Sequence, residues 1–181
     1  TIESHLPIGS GVSSSAALEC GLAYGLNELF DLGLSKLEIV ELSQRAEHTY
    51  VGTKCGIMDQ FASVMSKAGN VILLDCESLE YKYIPIDLAP YKILMLNTNV
   101  SHNLASGEYN TRRAECESGV ALLKKRHPEV NSLRQAKEAM IMEHKQVMGE
   151  KVFNRCLYIV QEKERVLAAV DALKANDLKK L

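Results

Sequence analysis

The stretch of sequence that decides the fold is Leu6-Pro7-Ile8-Gly9-Ser10-Gly11-Val12-Ser13-Ser14-Ser15-Ala16-Ala17, near the start of the chain. Its two glycines, Gly9 and Gly11, can adopt positive φ and let the backbone approach a ligand closely. The hydroxyls at 13–15 supply a candidate cap for the helix that the following apolar residues predict. The free N–H groups and positive dipole of such a helix start bind anions, phosphate above all. The stretch therefore predicts a phosphate loop running into a helix, with an ordinary turn before a capped helix as the alternative.

Composition and charge narrow the classes of function open to the chain. It has 181 residues, 46% hydrophobic and 24% charged, with a formal net charge of −2. This balance is typical of a globular protein and favours neither nucleic acid nor a membrane surface as partner. The cysteines stand singly at 20, 55, 76, 116 and 156 without zinc spacing, which predicts reduced thiols in a cytoplasmic protein. Because the sequence opens on Thr1 and reaches the loop almost at once, we expect a portion of a longer protein.

Periodicity and turn residues predict a mixed α/β chain. The expected strands are 1–6, 71–74, 81–86 and 91–96, and the expected helices are 14–30, 35–50, 57–65, 109–126, 133–143 and 150–174. The first helix is apolar nearly all round, which predicts burial on every side. Ser35 and Glu38 have the spacing of a capping box. The proline-bearing segment 85–90 is the best internal boundary, and it predicts domains at 1–88 and 89–181.

A second candidate site follows the second helix. Glu47 ends that helix and Asp59 begins the next, with a loop carrying Gly52 and Gly56 between them. Two carboxylates beside a phosphate loop suit the holding of Mg²⁺, which prefers oxygen ligands, and the orientation or deprotonation of an attacking hydroxyl. The structural alternative is that Asp59 caps its helix and Glu47 is a solvated helix residue.

Three motifs together resemble those of one known family. The first stretch is neither a Walker A loop nor a dinucleotide fingerprint, and it resembles the second motif of the GHMP kinases, Pro-x-Gly-x-Gly-(Leu/Val)-x-Ser-Ser-Ala. The segments Glu47-His48-Thr49-Tyr50-Val51-Gly52 and Cys55-Gly56-Ile57-Met58-Asp59-Gln60-Phe61 are similar to galactokinase sequence. Residues 97–117 are also similar to galactokinase sequence. They follow the pattern Asn-x-Asn-Val-x-His-x-Leu-Ala-x-x-Glu-Tyr-x-x-Arg-Arg, with Gly107 where serine is common. The resemblance is therefore to the galactokinase family.

The resemblance implies roles for individual residues. It makes Asp59 the catalytic base, Ser15 and Glu47 the Mg²⁺ ligands, and Gly56, Asp59 and Tyr109 the sugar-binding residues. The residues implied to bind ATP are Pro7, Gly9, Ser10, Gly11, Val12, Ser13, Ser14, Ser15 and Ala16. His48 and His102 are expected to stabilise loops rather than to exchange protons, and the turn Asp75-Cys76-Glu77-Ser78-Leu79 is expected to be structural.

The resemblance also implies a fold and a reaction. The expected fold is an α/β (α+β), incomplete two-domain GHMP kinase fold, with a ribosomal S5 domain 2-like N-terminal part and a ferredoxin-like C-terminal part. The expected reaction of the full-length parent is ATP-dependent phosphorylation of α-D-galactose at the anomeric hydroxyl. The family's N-terminal signature and late glycine-rich motif are missing from the sequence, so we expect little activity from this chain alone. Open edges and apolar surface would favour self-association. The alternatives are another sugar 1-kinase, such as one acting on N-acetylgalactosamine, and a non-catalytic regulator that senses galactose and ATP.

Overall fold

The structure is a computed structural model that describes residues 3, 5–9, 11–96 and 108–181. Both helices and strands are present, as the α/β prediction requires. The chain divides into two compact units, Thr1–Gly107 and Glu108–Leu181. The division at 88/89 made from the sequence is a different one, and it stays a prediction. In the described part of the chain, no helix is both long enough and apolar enough to cross a membrane.

The first unit is built on three helices and a π-helical turn that joins two of them. They are α1 (Ser14–Phe30), α2 (Lys36–Ala46), the π-helical turn (Glu47–Val51) and α3 (Met58–Met65). The three helices pack against one another in pairs. These bounds confirm the predicted helices, except that the last turn of the second is wound as a π-helix.

The start of α2 confirms the predicted capping box. The Ser35 hydroxyl accepts the Glu38 backbone N–H at 3.3 Å, and the Glu38 carboxylate accepts the Ser35 backbone N–H at 2.8 Å. Ile39 and Val40 are completely buried on the inner face of α2, whereas Leu37 is exposed.

The prediction that α1 is buried on every side is wrong. Ala16 and Cys20 lie in the core, but Leu22 and Leu29 are 53% and 73% exposed. Among the described residues, α2 and α3 cover only one side of this helix. An apolar sequence shows that burial of a helix surface is favourable. It does not show that other segments of the same chain pack against that surface.

An antiparallel hairpin completes the first unit. Strand β1 (Asn70–Leu74) pairs with β2 (Tyr81–Pro85), in a register that places Ile72 opposite Tyr83. The Asp75 side chain accepts the backbone N–H of Glu77 at 3.0 Å, which confirms the structural role predicted for this turn.

Two other predicted strands are not found. Residues 91–96 have no regular structure, and Ile93 and Leu94 are 77% and 78% exposed. Of the strand expected at 1–6, the described residues 3, 5 and 6 are not in a strand either. A strand requires a partner for its backbone groups, and periodicity within one segment cannot reveal whether that partner exists.

The second unit consists of helices α4 (Glu108–Leu123), α5 (Glu138–Glu143) and α6 (Lys145–Lys174). Gly149 interrupts α6 with φ 70° and ψ 162°, a conformation that essentially only glycine adopts, so the regular helix begins at the predicted residue 150. Helix α5 is shorter than the predicted 133–143. The core lies between the helices and consists of Leu123, Val130, Leu133, Ala136, Ile141, Met148, Phe153, Cys156 and Val160. Not all apolar residues of α6 lie in the core, since Ile159 and Leu167 are exposed.

Helices α4 and α6 are linked by ion pairs at Glu115 and pack very closely at Gly119. The Glu115 carboxylate lies 2.6 Å from Lys151 Nζ and 3.2 Å from Arg155 Nε. Gly119 of α4 lies directly against Cys156 of α6, so close that a Cβ at position 119 would overlap the Cys156 sulfur.

Candidate active site

The loop before α1 has an alternating backbone conformation. Gly9, Gly11 and Ser13 all have positive φ, of 74°, 78° and 57°. A Cβ built on Gly11 would meet no atom of the described residues within 4 Å, so the backbone at Gly11 is open on that side within the described part of the chain. The first intrahelical bond runs from the Ala17 N–H to the Ser13 carbonyl, which leaves the N–H groups of residues 14–16 without an intrahelical acceptor. The loop thus combines left-handed residues with free helix-start donors, the features of an anion-binding concavity.

The predicted hydroxyl cap of α1 is wrong. Ser13 occupies the cap position, but within the described residues its side chain makes no capping hydrogen bond. Its backbone is left-handed, whereas a capping serine normally has an extended backbone that directs its hydroxyl onto the first turn. The loop conformation has taken precedence over the local cap.

Glu47, the predicted metal ligand, is buried in the π-helical turn. Its residue is only 2% exposed, and neither carboxylate oxygen accepts a hydrogen bond from a donor in the described part of the chain. The alternative of a solvated helix residue is therefore wrong. A π-helical turn winds the chain more widely than an α-helix and often occurs at functional sites.

Glu19, on α1, faces Glu47. Burial first, and then interaction with the neighbouring Glu47 carboxylate, raise the pKa of Glu19 to about 7, against a lowering contribution from Gln60. Because Glu19 lies one helical turn beyond Ser15, the two residues share a face of α1. The hydroxyl and the paired carboxyl groups therefore lie along the same side of the helix that the loop enters.

The side chains around Cys55 extend this polar cluster towards α3. Burial raises the pKa of the Cys55 thiol, and the negative charges of Glu47, Glu19 and Asp59 raise it as well. Gln60, 2% exposed, donates from Nε2 to the Cys55 sulfur at 3.8 Å. Three carboxyl groups are thus near enough to act on one thiol.

The segment between Glu47 and Asp59 is anchored from α2 and the π-helical turn. His48 Nε2 donates to the Cys55 carbonyl at 2.8 Å, and Gln44 Nε2 donates to the same oxygen at 3.3 Å. The ring of His48 is thereby engaged with backbone, which confirms its predicted role in stabilising the loop.

Asp59 lies in the first turn of α3. The cap position of this helix is Ile57 and no side chain caps it among the described residues, so the alternative that Asp59 is a helix cap is wrong. Asp59 is half-buried, and exposed Gly56 lies just before it. The Asp59 carboxylate is therefore not committed to capping α3, and it is partly accessible.

Some predicted site residues are not brought together in the described structure. Ser10 and the segment containing His102 lie outside the described residues. Tyr109 lies in the first turn of α4, in the second unit, and is 45% exposed. Its role in sugar binding stays a prediction.

Glu19 is the member of the cluster that the sequence did not indicate. It stands in an otherwise small and apolar stretch of α1, one turn after Ser15, where a carboxylate is out of keeping with its surroundings. That contrast is the signal that could have identified Glu19. Using it would have required knowing that the π-helical turn packs against α1 at Glu19.

Comparison with known proteins agrees with this geometry. Residues 1–67 match the family described as GHMP kinases N terminal domain. The match covers the loop, Glu19, Glu47 and Asp59, so the part of the chain that holds the cluster is the part that matches the family. Residues 1–67 are therefore similar to the N-terminal domain of GHMP kinases.

Over nearly its whole length the chain is similar to galactokinases. The chain is 43% identical over 180 residues to the galactokinase of Thermosipho africanus, covering 99% of this chain and 49% of that protein. It is 43% identical over 180 residues to the galactokinase of Clostridium tetani, covering 98% of this chain and 46% of that protein. The structure of Lactococcus lactis galactokinase complexed with galactose matches with a TM-score of 0.89 and 33% identity, over 97% of this chain and 45% of that one. The fold is thus that of galactokinases, and the chain spans about half the length of the curated relatives it matches.

Proposed function

We propose that a full-length protein carrying this chain transfers the γ-phosphoryl group of ATP to the anomeric hydroxyl of α-D-galactose, giving galactose 1-phosphate. The observation that carries the proposal is the buried Glu47 carboxylate, which lacks a hydrogen-bond donor among the described residues and lies beside the helix that the phosphate loop enters. The similarity to galactokinases, one of them with galactose bound, supports the acceptor.

The loop and the first turn of α1 would hold the phosphates of ATP. The contributing residues would be Pro7, Gly9, Ser10, Gly11, Val12, Ser13, Ser14, Ser15 and Ala16. Backbone N–H groups at a helix start match the negative charge of a polyphosphate, and open space above Gly11 lets it approach.

Glu47 and Ser15 would hold Mg²⁺. A buried carboxylate with two unpartnered oxygens is costly to retain unless a cation or a proton neutralises it. The Glu19 carboxyl lies beside it, and carboxyl and hydroxyl oxygens are the donors that Mg²⁺ prefers, so these residue types fit this ion. Bound there, Mg²⁺ would neutralise charge on the phosphates.

Asp59 would orient the sugar hydroxyl and accept its proton. Asp59 and Glu47 both lie close enough to Cys55 for their charges to raise its pKa, and Asp59 is not used as a helix cap. Gly56 would allow the sugar to approach the backbone, and Tyr109 would contact the ring. Phosphoryl transfer depends mainly on alignment and charge neutralisation, so these few groups are chemically adequate.

The remaining proposals concern the chain as a whole. The domains proposed are 1–88, the end of the ribosomal S5 domain 2-like part, and 89–181, the start of the ferredoxin-like part. The five free thiols support a cytoplasmic location. The exposed leucines of α1 support self-association of the isolated chain, which we propose has little kinase activity.

The test is ADP release by the full-length protein with ATP and Mg²⁺, offered galactose, N-acetylgalactosamine, glucose or mevalonate. Turnover with galactose alone is expected. Turnover only with N-acetylgalactosamine or another acceptor would keep the kinase and overturn the substrate. ATP binding without turnover on any acceptor would replace the kinase by a sensor.

The Asp59→Asn variant tests the proton acceptor. We expect turnover with galactose to fall by about 10²-fold or more, because general base catalysis contributes factors of this order. The melting temperature should stay near that of the unmodified protein, since no other described residue depends on this carboxylate for a cap. Asp87→Asn, on an exposed loop, is the matched control and should retain full turnover. Near-normal turnover in Asp59→Asn would remove Asp59 from the mechanism.

A further inference from the structure

The second unit contains a cluster of metal-ligating side chains that is separate from the proposed kinase residues. His127 follows α4, while Glu143 ends α5 and His144 joins α5 to α6. Each offers one ligand atom, and these atoms all lie within 4.8 Å of one another. The three residues come from two segments that the chain brings together only on folding.

His144 has the hydrogen-bonding arrangement of a metal ligand. Its ring is nearly inaccessible, with the residue only 4% exposed. Nδ1 donates to the Met140 carbonyl at 2.8 Å, which assigns the proton of the neutral ring to Nδ1 and leaves a lone pair on Nε2. Nε2 is buried and has no hydrogen-bond partner among the described residues. Ligating histidines commonly donate their other ring nitrogen to a carbonyl or carboxylate in this way.

His127 lies beside it, with the two ring centroids 5.7 Å apart. Its Nε2 is 3.5 Å from Glu143 Oε2, too far for good hydrogen-bond geometry, and this buried nitrogen also has no hydrogen-bond partner in the described chain. Its Nδ1 is 3.7 Å from Glu129 Oε1, so the other nitrogen of the ring also has a carboxylate nearby. Two buried imidazole nitrogens and a carboxylate thus face a common point without satisfying one another.

We propose that His127, Glu143 and His144 bind a divalent transition-metal ion of the Zn²⁺ type. Two imidazoles and one carboxylate are a donor set that Zn²⁺ accepts readily and that Mg²⁺ and Ca²⁺ do not favour. Three protein ligands leave one position open, next to a cleft lined in part by Lys125, Arg126 and Lys145. These cations weaken metal binding electrostatically and favour an anion in the open position.

The metal would tie the irregular segment after α4 to the junction of α5 and α6. That segment runs from 124 to 137 without regular secondary structure longer than a turn. A ligand that binds only the folded unit stabilises it by mass action, so the site would strengthen the second unit independently of the kinase reaction.

The first experiment is calorimetric titration of the 181-residue chain with ZnCl₂, repeated with the variants Glu143→Gln and His127→Asn. We expect one Zn²⁺ per chain, and at least tenfold weaker binding in each variant. Glu150→Gln and His5→Asn are matched controls on exposed residues outside the cluster and should bind as the unmodified chain does. Unchanged affinity in both cluster variants would overturn the proposal.

The second experiment identifies the donor atoms directly and needs no variant. X-ray absorption of the Zn²⁺-loaded chain should show only nitrogen and oxygen, at about 2.0–2.1 Å. A sulfur shell at about 2.3 Å would show that Zn²⁺ binds cysteines instead and would overturn the site. So would the absence of stoichiometric binding.

Discussion

Replacing Gly119 with alanine should destabilise the second unit, although alanine is normally the better helix residue. A Cβ at this position of α4 would overlap the Cys156 sulfur and lie 3.2 Å from Val152 Cγ1. Cys156 is completely buried, and the close packing of protein cores limits how far its sulfur can shift. Overpacking of this kind costs about 1–3 kcal/mol. The gain in helix propensity offsets about 1 kcal/mol, so we expect a net loss of about 1 kcal/mol.

Gly21 of α1 is the matched comparison. It is also a helical glycine, but a Cβ there would meet nothing within 4 Å. Gly21→Ala should therefore stabilise its own unit by about 0.5–1 kcal/mol. Equilibrium hydrogen exchange, followed by mass spectrometry of peptides from α1 and α4, measures both effects separately in the two units. If Gly119→Ala were as stabilising as Gly21→Ala, the close packing of α4 on α6 would be refuted.

A double-mutant cycle with Cys156→Ala isolates the contact. Removing the sulfur clears the space that the new methyl group needs, so Gly119→Ala should be neutral or stabilising in the Cys156→Ala background. A cost of about 1 kcal/mol that persists in that background would assign the effect to something other than the sulfur.

Two further predictions concern local electrostatics. Ser35→Ala should lower the free energy of unfolding by about 1 kcal/mol, because it removes the acceptor for the Glu38 N–H. Ser35→Thr keeps a hydroxyl at the cap position and should retain most of that stability. Urea titration measures the free energy of unfolding of each variant, and equal values for the Ala and Thr variants would contradict the cap. Hydrogen bonds from Lys151 and then Arg155 hold the pKa of Glu115 below its usual 4.5, so its stabilising contribution is present above that pH and is lost as the pH falls through the lowered value. Thermal melts between pH 2 and 7 should show less acid destabilisation in Glu115→Gln, and a parallel fall in both proteins would exclude this ion pair as a cause.

Elements with local signals were predictable from sequence. The bounds of α1 follow from a glycine-rich entry and an exit at Asp31, and the capping box of α2 can be recognised from two residues three apart. The hairpin follows from two apolar runs around a turn that begins at Asp75. Each of these elements is determined by residues that are close together in the sequence, so it can be predicted from the sequence alone.

Features that depend on distant neighbours were not predictable. Residues 91–96 have the apolar character of a strand, but nothing in that run shows whether a partner strand is at hand. The π-helical turn contains one more residue per hydrogen-bonded turn than an α-helix, and the hydrophobic periodicity of the sequence does not predict it. The resemblance to galactokinases predicts that Glu47 is a metal ligand. Its burial against Glu19 could not be predicted, because it depends on how α1 packs.

The histidine cluster shows the same limit. His127 and His144 lie on different segments, and the sequence contains no zinc spacing that joins them. Only the folded position of the α5–α6 junction brings the two rings side by side.

The left-handed backbone of Ser13 has a consequence for the speed of binding. A non-glycine residue in this conformation costs on the order of 1 kcal/mol, which the rest of the folded loop must offset. A loop that folding holds in its binding conformation does not have to rearrange when a phosphate group arrives. Under the proposed function, association of nucleotide should therefore be limited by diffusion and orientation, with no slow rearrangement of the loop.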